Sequence, residues 1–152
     1  LKLLFFQLNF SALIPDGIKA ALGYSEFIPR SDGSMIRDLV FIDDVTDLYL
    51  RIGEALTNDP KLNGEVFNAG TNQPISVKEV IEKIFRSLDN EAGLEKIITQ
   101  MKGKDPSGEI VSQYMDFEKV NEYFGWQPKH NLDNGLAKTI EWFTRYLESS
   151  TY

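Results

Sequence analysis

Few side chains in this sequence have the type and spacing that chemistry needs. The chain of 152 residues holds one histidine, His130, and no cysteine. That excludes a thiolate nucleophile, a disulfide and a thiolate metal site, and leaves too few ligands for a catalytic zinc, which commonly takes two or three nitrogen or sulfur donors. His130 lies in the polar stretch 127–131 and reads as a surface residue. Asp43 and Asp44 stand side by side, but neighbours at a strand end point in different directions, and one of them is expected to cap the following helix. None of the 11 glycines falls into Gly-x-Gly-x-x-Gly or Gly-x-x-Gly-x-x-Gly, so no strand-to-helix turn is built to bring backbone N–H groups onto a dinucleotide pyrophosphate. No P-loop occurs either. The residues alone therefore supply no catalytic set, no cofactor site and no metal site; what remains is a small number of polar groups at strand ends that could hold a ligand.

Those groups must be positioned by one ordinary globular core, for which 42% hydrophobic and 26% charged residues suffice. The formal charge of −7 repels a phosphate backbone over most of the surface and argues against nucleic-acid binding. The apolar run Leu3 to Phe6 is far shorter than a membrane span, and the absence of cysteine fits a reducing cytoplasm. The first residue is Leu, so the expectation is a fragment, a processed product or an excised domain.

Short strands alternate with amphipathic helices. Ile14 to Leu22 reads as a short helix with Pro15 and Asp16 in its first turn. Arg37 to Ile42 reads as a strand, followed by a helix carrying Val45, Leu48, Tyr49, Ile52 and Leu56 at helical spacing. A second strand is expected over Glu65 to Asn68. Ser76-Val77-Lys78-Glu79 has the capping-box pattern and opens a helix whose buried stripe is Val77, Val80, Ile81, Ile84, Phe85 and Leu88. Residues 94–105 are hard to read, with a strand expected near Ile97-Ile98, and Glu109 to Met115 reads as another strand. Two helices close the chain: Phe117 to Phe124, capped by Asp116 and stopped by Gly125, and Asp133 to Leu147.

The order of motifs then becomes recognisable. Asn9-Phe10-Ser11 with Leu13-Ile14-Pro15, Arg30-Ser31-Asp32-Gly33, Arg37-Asp38 with Phe41-Ile42-Asp43-Asp44-Val45, Gly64 to Asn68, Ser76 to Glu79 and Gly125-Trp126-Gln127-Pro128 resemble the carboxyl-terminal part of NAD-dependent sugar-nucleotide epimerases and dehydratases. These are extended short-chain dehydrogenase/reductases. The resemblance runs from about Leu8 to Leu147, and within the superfamily it is closest to 4,6-dehydratases of the GDP-mannose or CDP-glucose kind. It implies an α/β fold: the carboxyl-terminal portion of a Rossmann-type enzyme, lacking the nucleotide-fingerprint half. Residues 1–152 would be one substrate-binding unit. NAD would belong to the complete enzyme and not to this chain, none of whose six tyrosines has a lysine four residues later, so the family's Tyr-x-x-x-Lys pair is absent.

The same resemblance assigns a nucleotide-diphosphate sugar as ligand, with Asn9, Ser11, Leu13, Arg37 and Glu109 as binding residues. Asn9 would lie near the phosphates, the Leu13 to Pro15 turn near the base, Arg37 on the diphosphate, and Glu109 where relatives place an acid that meets the ribose or a neighbouring arginine. Two departures stand out. Pro106 occupies a position where relatives often carry arginine, and Ala12 follows Asn-Phe-Ser where close relatives read arginine. They leave open a second reading, a binding or interaction module that keeps the fold without the chemistry. A chain separated from its partner domain is further expected to show exposed apolar surface, self-association or low stability.

Overall fold

The computed structural model describes residues 3–4, 12–106 and 108–149. In chain order the elements are β1 (Leu3–Leu4), α1 (Leu13–Ala21), β2 (Ile36–Arg37), β3 (Val40–Phe41), α2 (Ile42–Asn58), β4 (Ile75–Ser76), α3 (Val77–Arg86), α4 (Glu91–Met101), β5 (Ser112–Gln113), α5 (Glu118–Phe124) and α6 (Leu132–Ser149), with a short 3-10 turn at Pro60–Leu62. They fall into two compact units.

The first unit contains the described part of Gln7–Arg37, Ile75–Gln113 and the described part of Asp133–Tyr152. Its sheet runs β4-β2-β5. β2 is antiparallel to β4, with Arg37 opposite Ile75, and parallel to β5, with Arg37 opposite Gln113. Arg37 thus occupies the central strand.

Helices provide the bulk of this unit's core. α1 lies against α3 and α4. Gly17 permits the close approach, since a Cβ there would sit 3.0 Å from Ile81 Cδ1 and 3.1 Å from Ile84 Cδ1. The capping box forms as the sequence implies: Glu79 N–H donates to Ser76 Oγ at 3.1 Å, and Ser76 N–H donates to the Glu79 carboxylate at 3.0 Å. Val80, Ile81, Ile84 and Phe85 are buried, while Val77 and Leu88 are half-buried.

The second unit contains β1, Asp38–Pro74 and Tyr114–Leu132. β3 pairs parallel with β1 and runs directly into α2. Val40, Val45, Leu48, Ala69, Val120 and Trp126 form its core, with Ile52, Phe67, Phe117 and Phe124 packed against it. α5 stops where Gly125 takes a left-handed conformation, φ +60°, the helix end that glycine adopts at least cost.

Several sequence expectations are corrected. The strand expected over Arg37 to Ile42 is two strands with different partners, broken at Asp38 and Leu39, and Ile42 is already helical. Neither Asp43 nor Asp44 caps α2: the N-cap is Phe41, which makes no side-chain cap. The region around Ile97 is helix α4, because Asn90 Oδ1 accepts from the Gly93 N–H at 2.9 Å and Leu94, Ile97 and Met101 form a buried stripe. A strand ladder is absent from 65–68 among the described residues. There the Lys119 ammonium donates to the Val66 carbonyl at 2.9 Å and pairs with Glu65 at 2.7 Å. Of the strand expected over Glu109 to Met115, only Ser112–Gln113 is paired.

Candidate functional site

Arg37 is 6% exposed, and burying a guanidinium is costly unless its donors are met and its charge is balanced. The backbone meets the donors. Nη1 donates to the Ile36 carbonyl at 2.7 Å and to the Ile110 carbonyl at 2.8 Å, which ties the central strand to the segment leading into β5. The charge is balanced by Glu109, whose carboxylate lies 3.5 Å from Nη2 and whose side chain is 41% exposed. The result is a fixed, buried cation facing a partly hydrated acid.

The structure therefore brings together two of the five residues that the resemblance marks as ligand contacts, Arg37 and Glu109. Leu13, in the same unit, is the first residue of α1 and is half-buried. Asn9 and Ser11 lie outside the described residues.

Asp38, which sequence reasoning did not single out for a role, organises the second unit. Its carboxylate accepts from the Thr71 N–H at 2.8 Å and the Met115 N–H at 3.3 Å, and the Thr71 hydroxyl donates to its other oxygen. A 7% exposed acid thereby joins two distant loops. The available signal was its place directly beside Arg37 in the Arg37-Asp38 pair.

His130 corrects the expectation of a surface histidine. Its side chain is 18% exposed, its Nδ1 lies 2.9 Å from Asp44 Oδ1, and its ring centroid is 4.6 Å from that of Phe41. Among the described residues no group of three or more His, Cys, Asp or Glu side chains could hold a metal ion. No helix among them is long and apolar enough to cross a membrane. The sequence has neither the glycine turn that admits a dinucleotide pyrophosphate nor a tyrosine with lysine four residues on.

Comparison with known proteins gives a consistent result. No protein-family model matches the chain. A UDP-glucose 4-epimerase from Mycolicibacterium smegmatis is 34% identical over 113 residues, 74% of this chain and 32% of that protein. Among solved structures, a dTDP-glucose 4,6-dehydratase from Bacillus anthracis in complex with NAD matches with a TM-score of 0.67 and 24% identity, over 90% of this chain and 40% of that one. A UDP-glucose 4-epimerase from Thermotoga maritima with UDP-glucose matches with a TM-score of 0.64 and 24% identity, again over 90% and 40%. The fold is thus mixed α/β, part of that of an extended short-chain dehydrogenase/reductase. The relatives and structures it matches are sugar-nucleotide epimerases and dehydratases, and the chain spans about a third to two-fifths of their length.

Proposed function

We propose that the chain is the carboxyl-terminal, substrate-binding part of a cytoplasmic NAD-dependent sugar-nucleotide 4,6-dehydratase or epimerase, and that residues 1–152 act as one binding unit for a nucleotide-diphosphate sugar. The buried Arg37 guanidinium carries this reading. A fixed fork of N–H donors suits the paired oxygens of a diphosphate, and the relatives named above act on or hold sugar nucleotides. In this reading Arg37 holds the diphosphate, Glu109 meets the ribose hydroxyls once the diphosphate is seated, Leu13 borders the base, and Asn9 and Ser11 approach the phosphates. Hydride transfer and elimination of water require residues that this sequence does not carry.

Calorimetric titration with UDP-glucose and dTDP-glucose tests the reading. Weak binding is expected from the wild-type chain, with loss of binding in Arg37→Ala and partial retention in Arg37→Lys, which keeps the charge but not the fork. Binding unchanged in Arg37→Ala would remove Arg37 from the site. NAD added to the chain alone is expected to give neither a binding isotherm nor 4-keto sugar.

A further inference from the structure

We propose that Glu109 is a latch on the Arg37 site: its carboxylate stands in for a ligand anion beside the guanidinium and is displaced when a diphosphate arrives. This rests on the reading of Arg37 as the diphosphate seat and adds a regulation of that seat.

Three observations carry it. First, the guanidinium is held independently of Glu109, because Nη1 is fixed by the carbonyls of Ile36 and Ile110 at 2.7 and 2.8 Å. Moving the acid away leaves the fork in place. Second, the acid is held loosely: its 3.5 Å approach to Nη2 exceeds the roughly 2.7–2.9 Å of a charge-assisted hydrogen bond. With 41% of its side chain exposed, it regains full hydration at little cost. Third, a cation that is 6% exposed needs a counter-anion at all times. Glu109 is the one acid at ion-pair distance from Arg37 among the described residues. Two anions at the same Nη2 repel each other, so a diphosphate and the Glu109 carboxylate occupy that edge alternately.

The latch makes an unusual demand on a binding site: neutralising one of its acids must strengthen anion binding. Inorganic pyrophosphate is the decisive probe, because it has no ribose and so the lost ribose contact of Glu109 cannot mask the gain. Titration of the wild-type chain, Glu109→Gln and Arg37→Ala is expected to show Glu109→Gln binding pyrophosphate about two- to fivefold more tightly than wild type, the scale of a partly exposed ion pair. Arg37→Ala is expected to lose binding. Equal or weaker binding by Glu109→Gln, with binding still lost in Arg37→Ala, overturns the latch and leaves Arg37 as the seat. Absence of pyrophosphate binding in both wild type and Glu109→Gln, or binding that Arg37→Ala does not change, overturns the seat and the latch together. Should Glu109→Gln not fold, Glu109→Asp, which withdraws the carboxylate by one methylene, is read by the same criteria.

Discussion

His130 meets Asp44 twice: its backbone N–H donates to Oδ2 at 3.0 Å, and its ring Nδ1 lies 2.9 Å from Oδ1. The Asp44 backbone carbonyl in turn accepts from Trp126 Nε1 at 2.8 Å. One residue in the first turn of α2 therefore fixes both ends of the connection between α5 and α6. Asp44 is 2% exposed, and its charge is balanced by these donors and by its place at the positive end of a helix. The aspartate that sequence reasoning offered as a cap holds a loop instead.

Replacing that carboxylate should loosen the whole connection. Asp44→Ala removes the acceptor of the His130 backbone N–H and the partner of its ring, and is expected to lower unfolding free energy by about 2–4 kcal/mol, the range for breaking buried hydrogen bonds to a charged group. Asp44→Asn, which keeps one acceptor, should lose less. Urea denaturation followed by tryptophan fluorescence in a Trp142→Phe background, which leaves Trp126 as the reporter, gives the comparison, and an unchanged midpoint for Asp44→Ala would show that the carboxylate does not hold the loop.

Gly70 tells a similar story about the Asp38 junction. A Cβ at this position would collide with the Met115 carbonyl and the Asp38 carboxylate. The Met115 carbonyl is backbone, which cannot swing aside as a side-chain tip can, and the Asp38 carboxylate is held by its own hydrogen bonds. Gly70→Ala is expected to destabilise by about 1–3 kcal/mol, the scale of overpacking. Gly53→Ala is the matched control, because a Cβ there meets nothing within 4 Å and alanine favours a helix interior. Thermal unfolding should separate the two in opposite directions.

How much of this could be read from the sequence depends on whether a signal was local. The Ser76–Glu79 box, the α1 entry at Pro15 and the Gly125 stop rest on contacts within a few residues, and each appears where the pattern puts it. Strand pairing does not work that way. Glu65 to Asn68 has the composition of a strand, but its backbone and flanking side chains are met by Lys119, Tyr123 and Phe124, more than 50 positions away. Ile97-Ile98 has a β-branched pair, yet the cap at Asn90 and the stripe through Met101 outweigh it.

The site divides along the same line. The type of Arg37 suggested an anion, and a resemblance supplied its place. No spacing rule shows that residue 109 folds back onto residue 37 or that two backbone carbonyls fix the guanidinium. His130 was misread for the same reason, since its partner lies 86 residues earlier.

α2 presents a test of surface against core. Tyr49, expected on its buried face, is 63% exposed, Leu50 is 71% exposed and Leu56 is 38% exposed. Burial contributes little at such positions, so Leu50→Lys is expected to change unfolding free energy by no more than about 0.5 kcal/mol. Val45→Ala, on the buried side of the same helix, should cost several times that by opening a cavity. Comparable losses for both would place Leu50 inside the core.

The capping box makes the last prediction a matter of pH. Glu79 is held below the usual glutamate range, first by the hydrogen bond from the Ser76 hydroxyl and next by the Ser76 backbone N–H, with burial opposing both. A carboxylate whose folded pKa is depressed contributes stability that is complete above its unfolded pKa. That stability is lost as pH falls through the depressed value. Ser76→Ala removes the stronger of the two donors and the acceptor for the Glu79 N–H, so at neutral pH it should cost about 1 kcal/mol, the usual worth of an N-cap. Acidification should then narrow the gap, because protonated Glu79 no longer rewards the wild-type hydroxyl. Denaturant midpoints measured for both chains from pH 7 down through the carboxylate range are expected to draw closer without meeting, since the Glu79 N–H bond to Ser76 Oγ survives protonation, and a gap that stays constant would mean that Glu79 makes no charged contact with Ser76.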